Sequence, residues 1–554
     1  MGLFRHLMRS SPRVFLAAIA AGLVSGAAGA AFIVVVNLAL ARGADRAVVW
    51  GYVALCAVTV LARFAAQRML FRLSQDVIYR LRRRLVDGVL DAPLRTTEKL
   101  GPARLYSALS DDVIVVADVV PGLPAVCSGV AFVVVGLVYL VVVSPVVAVA
   151  ALLATVVGAA VYRLFSIGGM RRLNAAREEQ DRLFEHFRAV TGGAKELKLD
   201  RARRDALAGE ALDRTALSYR DHSIRGLTVF EGAAGSGQAL FFALVGVLVF
   251  VLPLHFALPP RALADTVMVL LFLVASLQGV LIWVPQLGRA SVALGKLDEL
   301  LAELPAAAPP AVAGAVAPTW RRIELRGVRH VYPGPQGEQF TLGPVDLEIR
   351  RGEVSFVVGG NGSGKTTLAK LITGLYEPES GRVSVDGVPV DAGGIEGYRQ
   401  SFAAVFTDFF LFDSLVGLPA ADREDRAREY LRRLRLDHKV RVEGDRFSTT
   451  ALSQGQRKRL ALLAAYLSDR PCYVFDEWAA DQDPVFKDVF YRELLPELRA
   501  RDKAVVVISH DDRYFDLADR LFRLEDGLLL PQDPGPPDGT GTPRSLPTRA
   551  GGAG

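Results

Sequence analysis

GGNGSGKTT, residues 359–367, decides the fold. Gly359, Gly364, Lys365 and Thr366 fit the spacing G-x-x-x-x-G-K-[ST], between an apolar run, VSFVV (354–358), and a helical one, KTTLAKLITGL (365–375). Strand, glycine-rich turn and helix in that order are the context a phosphate-binding loop requires. The glycines turn backbone N–H groups in on phosphates at a helix N-terminus, Lys365 reaches the outer phosphates, and Thr366 offers a hydroxyl to Mg²⁺. Gly360, Asn361, Gly362, Ser363 and Thr367 complete the predicted cradle for ATP.

Such a loop needs a second strand ending in a carboxylate. VFDEWAADQD (474–483) supplies it: Asp476 ends an apolar strand and is expected to hold Mg²⁺, directly or through water. Glu477 beside it is placed to polarise the attacking water as general base. By themselves the four acids of this segment read first as a solvated turn; the phosphate loop upstream gives two of them a chemical role.

Between these segments lies LSQGQRKRL (452–460), and here the chain resembles the ATP-binding cassette (ABC) proteins. The resemblance implies that Ser453 and Gly455, with Gln456, face the γ-phosphate bound by another copy, because the family's nucleotide sites lie between two cassettes. One cassette and one set of spans imply a half-transporter that works as a homodimer. Tyr332 in HVYPG matches the family's adenine-stacking aromatic, and His510, after the strand AVVVIS, matches the histidine that contacts the γ-phosphate. Asp483 falls at the family's dimer-contact aspartate. Asp481 stands where exporters usually carry a small apolar residue and is left without a role.

The first 290 or so positions read very differently. Crossing a hydrocarbon core about 30 Å thick takes about 20 apolar residues. Residues 14–41 qualify, as does a shorter run at 47–62. Residues 119–162 are uncharged and long enough for two crossings reversing at Ser144-Pro145, and 232–254 and 266–288 supply two more, separated by a loop at 255–265. The expectation is an all-α six-helix transmembrane domain (1–301), a Pro/Ala-rich linker (302–319), an α/β P-loop ABC nucleotide-binding domain (320–530) and a disordered Gly/Pro-rich tail (531–554). The first apolar run is about twice as long as a secretory core, so it is read as a retained span. Gly22, Gly26 and Gly29 suit small-residue helix packing.

The net charge of +6 does not signal nucleic acid, since the arginines concentrate at 63–104 and 163–225, between apolar runs. Basic connections of that kind are cytoplasmic. Together with Arg5, Arg9 and Arg13 they orient both termini to the cytoplasm; a bacterial inner membrane is what the exporter resemblance implies. Both connections are too long for plain loops and are expected to prolong the spans as solvated helices. Three cysteines, Cys56, Cys127 and Cys472, offer neither a disulfide framework nor metal-ligand spacing. The spans hold few ionisable groups, which argues against a proton or small-ion path. Asn37, Gln238, Gln278 and Gln286 are the polar groups there, read first as helix-to-helix hydrogen bonds.

One segment departs from the general family pattern. In VFTDFFLFD (405–413), Thr407 stands where a glutamine normally touches metal and water and links the cassette to the spans. Thr407 is too short for that reach, so Asp408, or a water beside Thr407, is expected to take over coupling. The runs FSTTALSQGQRKRLALL, VFDEWAADQDPVF, ISHDDRYFDLADR and GAKELKL are similar to the subgroup of ABC exporters that move cyclic peptides, peptide siderophores and lipopeptides. That resemblance implies ATP-driven export of a peptide-like or amphiphilic molecule through the bilayer. Only 13 residues precede the first span, leaving no room there for a leader peptidase, so the cargo is expected to be mature or trimmed elsewhere. A lipid or drug exporter is the alternative cargo class, and a nucleotide-gated regulator with residual hydrolysis is the alternative of another kind.

Overall fold

The computed structural model describes residues 12–42, 45–251, 260–304, 320–333, 339–391, 393–417 and 423–532. The expected linker beyond Leu304 and the expected tail beyond Gln532 lie outside these residues. The chain forms two compact units, Met1–Asp87 with Ala103–Glu303, and Gly88–Pro102 with Leu304–Gly554. Residues 88–102 therefore belong with the cassette, although the sequence assigns them to the membrane half.

The first unit is helical: α1 Pro12–Arg42, α2 Arg46–Asp91, then, after the short α3 Leu94–Leu100 of the second unit, α4 Leu123–Val143, α5 Pro145–Gly192, α6 Asp213–Gly246 and α7 Pro260–Glu303. Among the described residues, five stretches are long and apolar enough to cross a membrane: Pro12–Val36, Arg46–Asp91, Pro102–Val142, Pro145–Gly192 and Arg201–Val251. The sixth expected crossing lies on α7, whose described apolar stretch, Thr266–Ser276, is shorter than a bilayer needs. The side chains of Asn37 and Gln278 lie outside the described residues, and Gln238 and Gln286 are exposed.

The long connections are indeed helical continuations. At 1.5 Å per residue the 48 residues of α5 run about 72 Å, more than twice the roughly 30 Å of hydrocarbon. Ser144, extended at φ −161° and ψ 112°, makes the predicted reversal between α4 and α5. The expected loop at 255–265 is shorter than the sequence suggested, because α7 already begins at Pro260. Proline suits a first helical position, where its missing N–H is not needed. The small residues of α1 are used for close packing: a Cβ on Gly26 would come within 2.4 Å of the Ser128 carbonyl oxygen, and one on Gly22 within 3.4 Å of Cys127.

In the second unit, an antiparallel sheet, β2-β1-β4-β5, is made of β1 Arg322–Pro333, β2 Gln339–Arg350, β4 Ser380–Val385 and β5 Val388–Pro389. A six-stranded, mainly parallel sheet has the order β10-β9-β3-β8-β7-β6, with β3 Val354–Val358, β6 Phe402–Val405, β7 Cys472–Asp476, β8 Ala504–Ile508, β9 Arg520–Glu525 and β10 Leu528–Gln532. The last strand runs two residues past the expected end of the domain at 530. VSFVV, CYVFD and AVVVI are buried along their whole length, as strands covered on both faces must be. Helices α8 Lys365–Ile372, α9 Arg423–Arg433, α10 Gln454–Ser468 and α11 Pro484–Asp488 complete the parts that bear on the site. In parallel sheets ligands bind beyond the carboxyl ends of the strands, which here are the ends of β3, β7 and β8.

Candidate functional site

The phosphate loop leaves the buried β3 and enters α8 through glycines, three of which sit where a side chain is disfavoured. Gly362 and Gly364 have φ of 79° and 101°, the left-handed region that side chains avoid. A Cβ on Gly359 would stand 2.3 Å from the Leu524 carbonyl oxygen. Lys365, only 6% exposed, donates from Nζ to the carbonyls of Gly359 at 3.0 Å and Gly360 at 2.8 Å. Its ammonium is also 3.5 Å from Glu477 Oε1. The charge that would meet the outer phosphates thus rests on its own loop and on the neighbouring base.

The parallel pairing of β7 with β8, Asp476 opposite Ile508, brings Asp476, Glu477 and His510 to one end of the sheet. Asp476 is 1% exposed and accepts at Oδ2 from Thr366 Oγ1 at 2.8 Å and, more weakly, from Thr407 Oγ1 at 3.4 Å. Burial raises its pKa above the usual carboxylate value, and the two threonine hydroxyls pull the other way. Its second oxygen, Oδ1, is buried without a partner, as is the Ser363 hydroxyl. An orphaned carboxylate oxygen beside a threonine hydroxyl suits a hard cation with oxygen ligands. Among the described residues no group of three or more Asp, Glu, His or Cys side chains is arranged to hold a metal ion by itself, so the remaining ligands of such an ion would be phosphate oxygens and water.

Glu477 adopts φ 50°, a left-handed conformation that costs on the order of 1 kcal/mol for a residue with a side chain. Its N–H donates to the Ile508 carbonyl at 3.0 Å, and its Oε1 lies 2.7 Å from His510 Nε2. The kink turns the carboxylate toward the mouth of the site. A cavity of about 280 Å³ opens there, lined by Glu477, His510, Ser509, Asp511, Lys487 and Tyr491 among others.

Ser453 and Gln456 cap α10 reciprocally: the Gln456 N–H reaches Ser453 Oγ at 3.5 Å and the Ser453 N–H reaches Gln456 Oε1 at 3.3 Å. Ser453 is exposed, at a helix N-terminus that favours anions. Gly455 lies close under the loop after β7, where a Cβ would come 3.1 Å from the Asp481 carbonyl oxygen. Tyr332, 48% exposed, stands on β1 opposite Phe340. Asp483 caps α11 by accepting from the Phe486 N–H at 2.9 Å and pairs with Arg459 at 2.6 Å; both hold its pKa below the usual range.

The structure adds detail at two places. Thr407, shorter than the glutamine whose place it takes, lies with its hydroxyl 3.4 Å from Asp476 Oδ2, and Asp408 is exposed with no hydrogen bond or ion pair among the described residues. Asp481, an exposed acid without an assigned role, has its Oδ2 2.6 Å from Nζ of Lys458, a lysine 3% exposed. Sequence reasoning missed a second group altogether. In residues 88–102, Glu98 binds Lys370 Nζ at 2.7 Å and Tyr376 Oη at 2.5 Å, both just past the phosphate loop. Arg95 reaches Glu379 at 3.1 Å and the carbonyl of Val331, next to Tyr332, at 3.2 Å. Burial and the Glu98 hydrogen bond push the Tyr376 hydroxyl up to about 12. The spacing TTEKL gives no hint of this, because the partners lie some 270 positions away in sequence.

Comparison with known proteins agrees with this geometry. Residues 342–480 match the family model described as ABC transporter, and residues 13–199 match that described as ABC transporter transmembrane region. The chain is 35% identical, over 95% of its length and 96% of the relative's, to the ATP-binding protein SyrD of Pseudomonas syringae pv. syringae. It is 33% identical to an ATP-dependent lipid A-core flippase of Chromohalobacter salexigens over 38% of this chain and 37% of that one. Its fold matches the structure of a bacterial Atm1-family ABC exporter with ATP bound, at a TM-score of 0.74 and 16% identity over 94% of both chains. With a phosphate loop, a signature helix and a kinked acidic strand end in one unit and membrane-length helices in the other, the chain belongs to the ABC transporter family, whose members hydrolyse ATP to drive transport across a membrane.

Proposed function

We propose that the chain is a homodimeric half-transporter exporting a peptide-type secondary metabolite across the bacterial inner membrane, with both termini cytoplasmic. The observation that carries the reading is the convergence of Lys365, Thr366, Asp476, Glu477 and His510 at one sheet end, while Ser453 faces outward. An exposed signature beside a site that lacks one fits two copies completing each other's sites.

In this reading Lys365 exchanges its own loop carbonyls for the β- and γ-phosphates, and Tyr332 stacks on the adenine. Thr366 and Asp476 would hold Mg²⁺, which when bound neutralises phosphate charge. Glu477 accepts the proton of the attacking water, and His510, already bonded to Glu477, moves to the γ-phosphate. Ser453 and Gly455, with Gln456 capping, engage the γ-phosphate on the partner, and Asp483 meets the partner across the interface. ATP draws the cassettes together and hydrolysis resets them. Peptide cargo is supported by the likeness of the signature and acidic-strand segments to the peptide-exporting subgroup.

The test is ATP-dependent uptake by inverted membrane vesicles of a labelled cyclic lipopeptide against a labelled phospholipid. Peptide uptake that disappears in Glu477→Gln supports the proposal. Preferential movement of phospholipid refutes the cargo, and undiminished function in Glu477→Gln refutes the pump in favour of a nucleotide-gated regulator.

A further inference from the structure

The loop after β7 is clasped to the signature helix α10 mainly by Lys458, Arg459, Trp478, Asp481 and Gln482, side chains that none of the roles above uses. Lys458, five positions after Ser453, is buried at 3% exposure. Its Nζ lies 2.6 Å from Asp481 Oδ2 and 3.3 Å from the Glu477 carbonyl oxygen. Its own carbonyl accepts from the indole N–H of Trp478 at 2.9 Å, and Trp478 is 1% exposed. One turn of α10 therefore grips both residues that follow Asp476. The adjacent Arg459 makes a second attachment: Nε to Gln482 Oε1 at 2.8 Å, Nη2 to Asp483 Oδ2 at 2.6 Å, its guanidinium 3.9 Å over the Phe486 ring. Gln482 returns a bond to the Gly455 carbonyl at 3.1 Å.

From this we infer that Asp481 is a positioning residue for catalysis: by holding the Lys458 ammonium on the Glu477 carbonyl, it makes the aim of the base depend on where the chain's own signature helix sits. Such a hold matters because the Glu477 backbone is left-handed and strained; apart from Lys458, it is held by its N–H on the Ile508 carbonyl at 3.0 Å and by the Ala480 N–H on its own carbonyl at 3.2 Å. A buried ammonium that loses its carboxylate does not stay where it was, since an unpaired charge in the interior is costly. The consequence rests on the shared-site reading given above. The signature of one copy engages the partner's nucleotide, whereas Glu477 of the same copy serves its own. The clasp then carries closure of one site to the base of the other, so the two sites fire in a linked manner.

The test is steady-state ATP hydrolysis by the full chain in lipid discs, with Kd for a fluorescent ATP analogue measured separately. In Asp481→Ala, kcat is expected to fall about tenfold and the Hill coefficient for ATP to drop to about one, with Kd changed by less than about twofold. Asp481→Glu is expected to recover both kcat and the Hill coefficient. If Asp481→Ala does not fold, the double variant Lys458→Met with Asp481→Leu removes both charges and leaves an apolar contact. Folded protein with lost cooperativity then supports the inference, and wild-type cooperativity overturns it. A cooperative wild type with an unchanged Asp481→Ala overturns this inference alone. A wild type with a Hill coefficient of one overturns it together with the shared-site reading.

Discussion

Replacing Thr366 and Thr407 in turn by valine separates two hydroxyls that reach the same oxygen. Both substitutions keep the shape of the side chain and remove one donor to Asp476 Oδ2, at 2.8 Å for Thr366 and 3.4 Å for Thr407. A hydrogen bond to a charged acceptor contributes about 1.5–3 kcal/mol, so Thr366→Val should weaken Mg²⁺-dependent nucleotide binding by roughly 10- to 100-fold. At 3.4 Å the Thr407 bond lies beyond the usual range, and a net contribution of about 0.5 kcal/mol corresponds to roughly a two- to threefold effect. The assay is ATP hydrolysis in lipid discs as free Mg²⁺ is titrated, paired with nucleotide binding in excess Mg²⁺. Thr407→Val matching or exceeding Thr366→Val would refute the ranking by distance. Asp408→Ala, with no hydrogen bond or ion pair to lose among the described residues, should leave the Mg²⁺ dependence unchanged; if it abolishes substrate-stimulated hydrolysis, coupling runs through Asp408 after all.

Glu98→Gln should loosen residues 88–102 from the cassette by about 1 kcal/mol, because Lys370 keeps only a neutral acceptor. The expected result is transport reduced several-fold with basal ATP hydrolysis less affected; parallel loss of both would show that Glu98 serves only stability. His330, stacked on Tyr376 at 4.8 Å with Nδ1 bonded to the Glu377 carbonyl and Nε2 buried without a partner, has its pKa lowered by burial, with the Arg95 charge adding and Glu377 and Glu379 opposing. The unfolded chain takes up this proton near pH ~6.5 and the folded one does not, so the stability from neutral His330 is complete above that pH and shrinks as pH falls toward the folded value. His330→Phe should flatten that part of the Tm against pH curve, and an unaltered slope refutes the assignment. Asp511, held down to about 2 by Arg513 and Lys487, works in the other window. Its contribution is present above the unfolded carboxylate value of ~3.9 and is lost as pH falls toward 2, so Asp511→Asn should reduce the acid sensitivity of Tm between those limits.

The cassette was legible because its chemistry sits in contiguous strings. A glycine turn between a buried strand and a helix, and an acidic end on a second such strand, each carry their own structural context, and the sheet only has to bring them together. The helices were legible as uncharged runs, down to the reversal at Ser144-Pro145. What stayed hidden depends on side chains distant in sequence. Nothing in the sequence marks Lys458 or Arg459, yet one is 3% exposed and paired with Asp481 and the other stacks on Phe486. Glu98 lies in a basic connection and gains meaning only from Lys370 and Tyr376. Thr407 is shorter than a glutamine, and only the approach of β6 to β7, with Val405 opposite Phe475, brings its hydroxyl to 3.4 Å from the Asp476 carboxylate, a contact that side-chain length alone does not reveal.

The most direct test of two chains completing each other's sites mixes Lys365→Ala chains with Ser453→Arg chains in the same lipid discs. Each variant alone damages both sites of its own dimer. A mixed pair concentrates both lesions in one site and leaves the other with an intact phosphate loop and an intact signature. Recovery of ATP hydrolysis on mixing, absent from either variant alone, is the predicted result; a mixture no more active than its separate components, with mixed dimers verified by affinity tags, would contradict it.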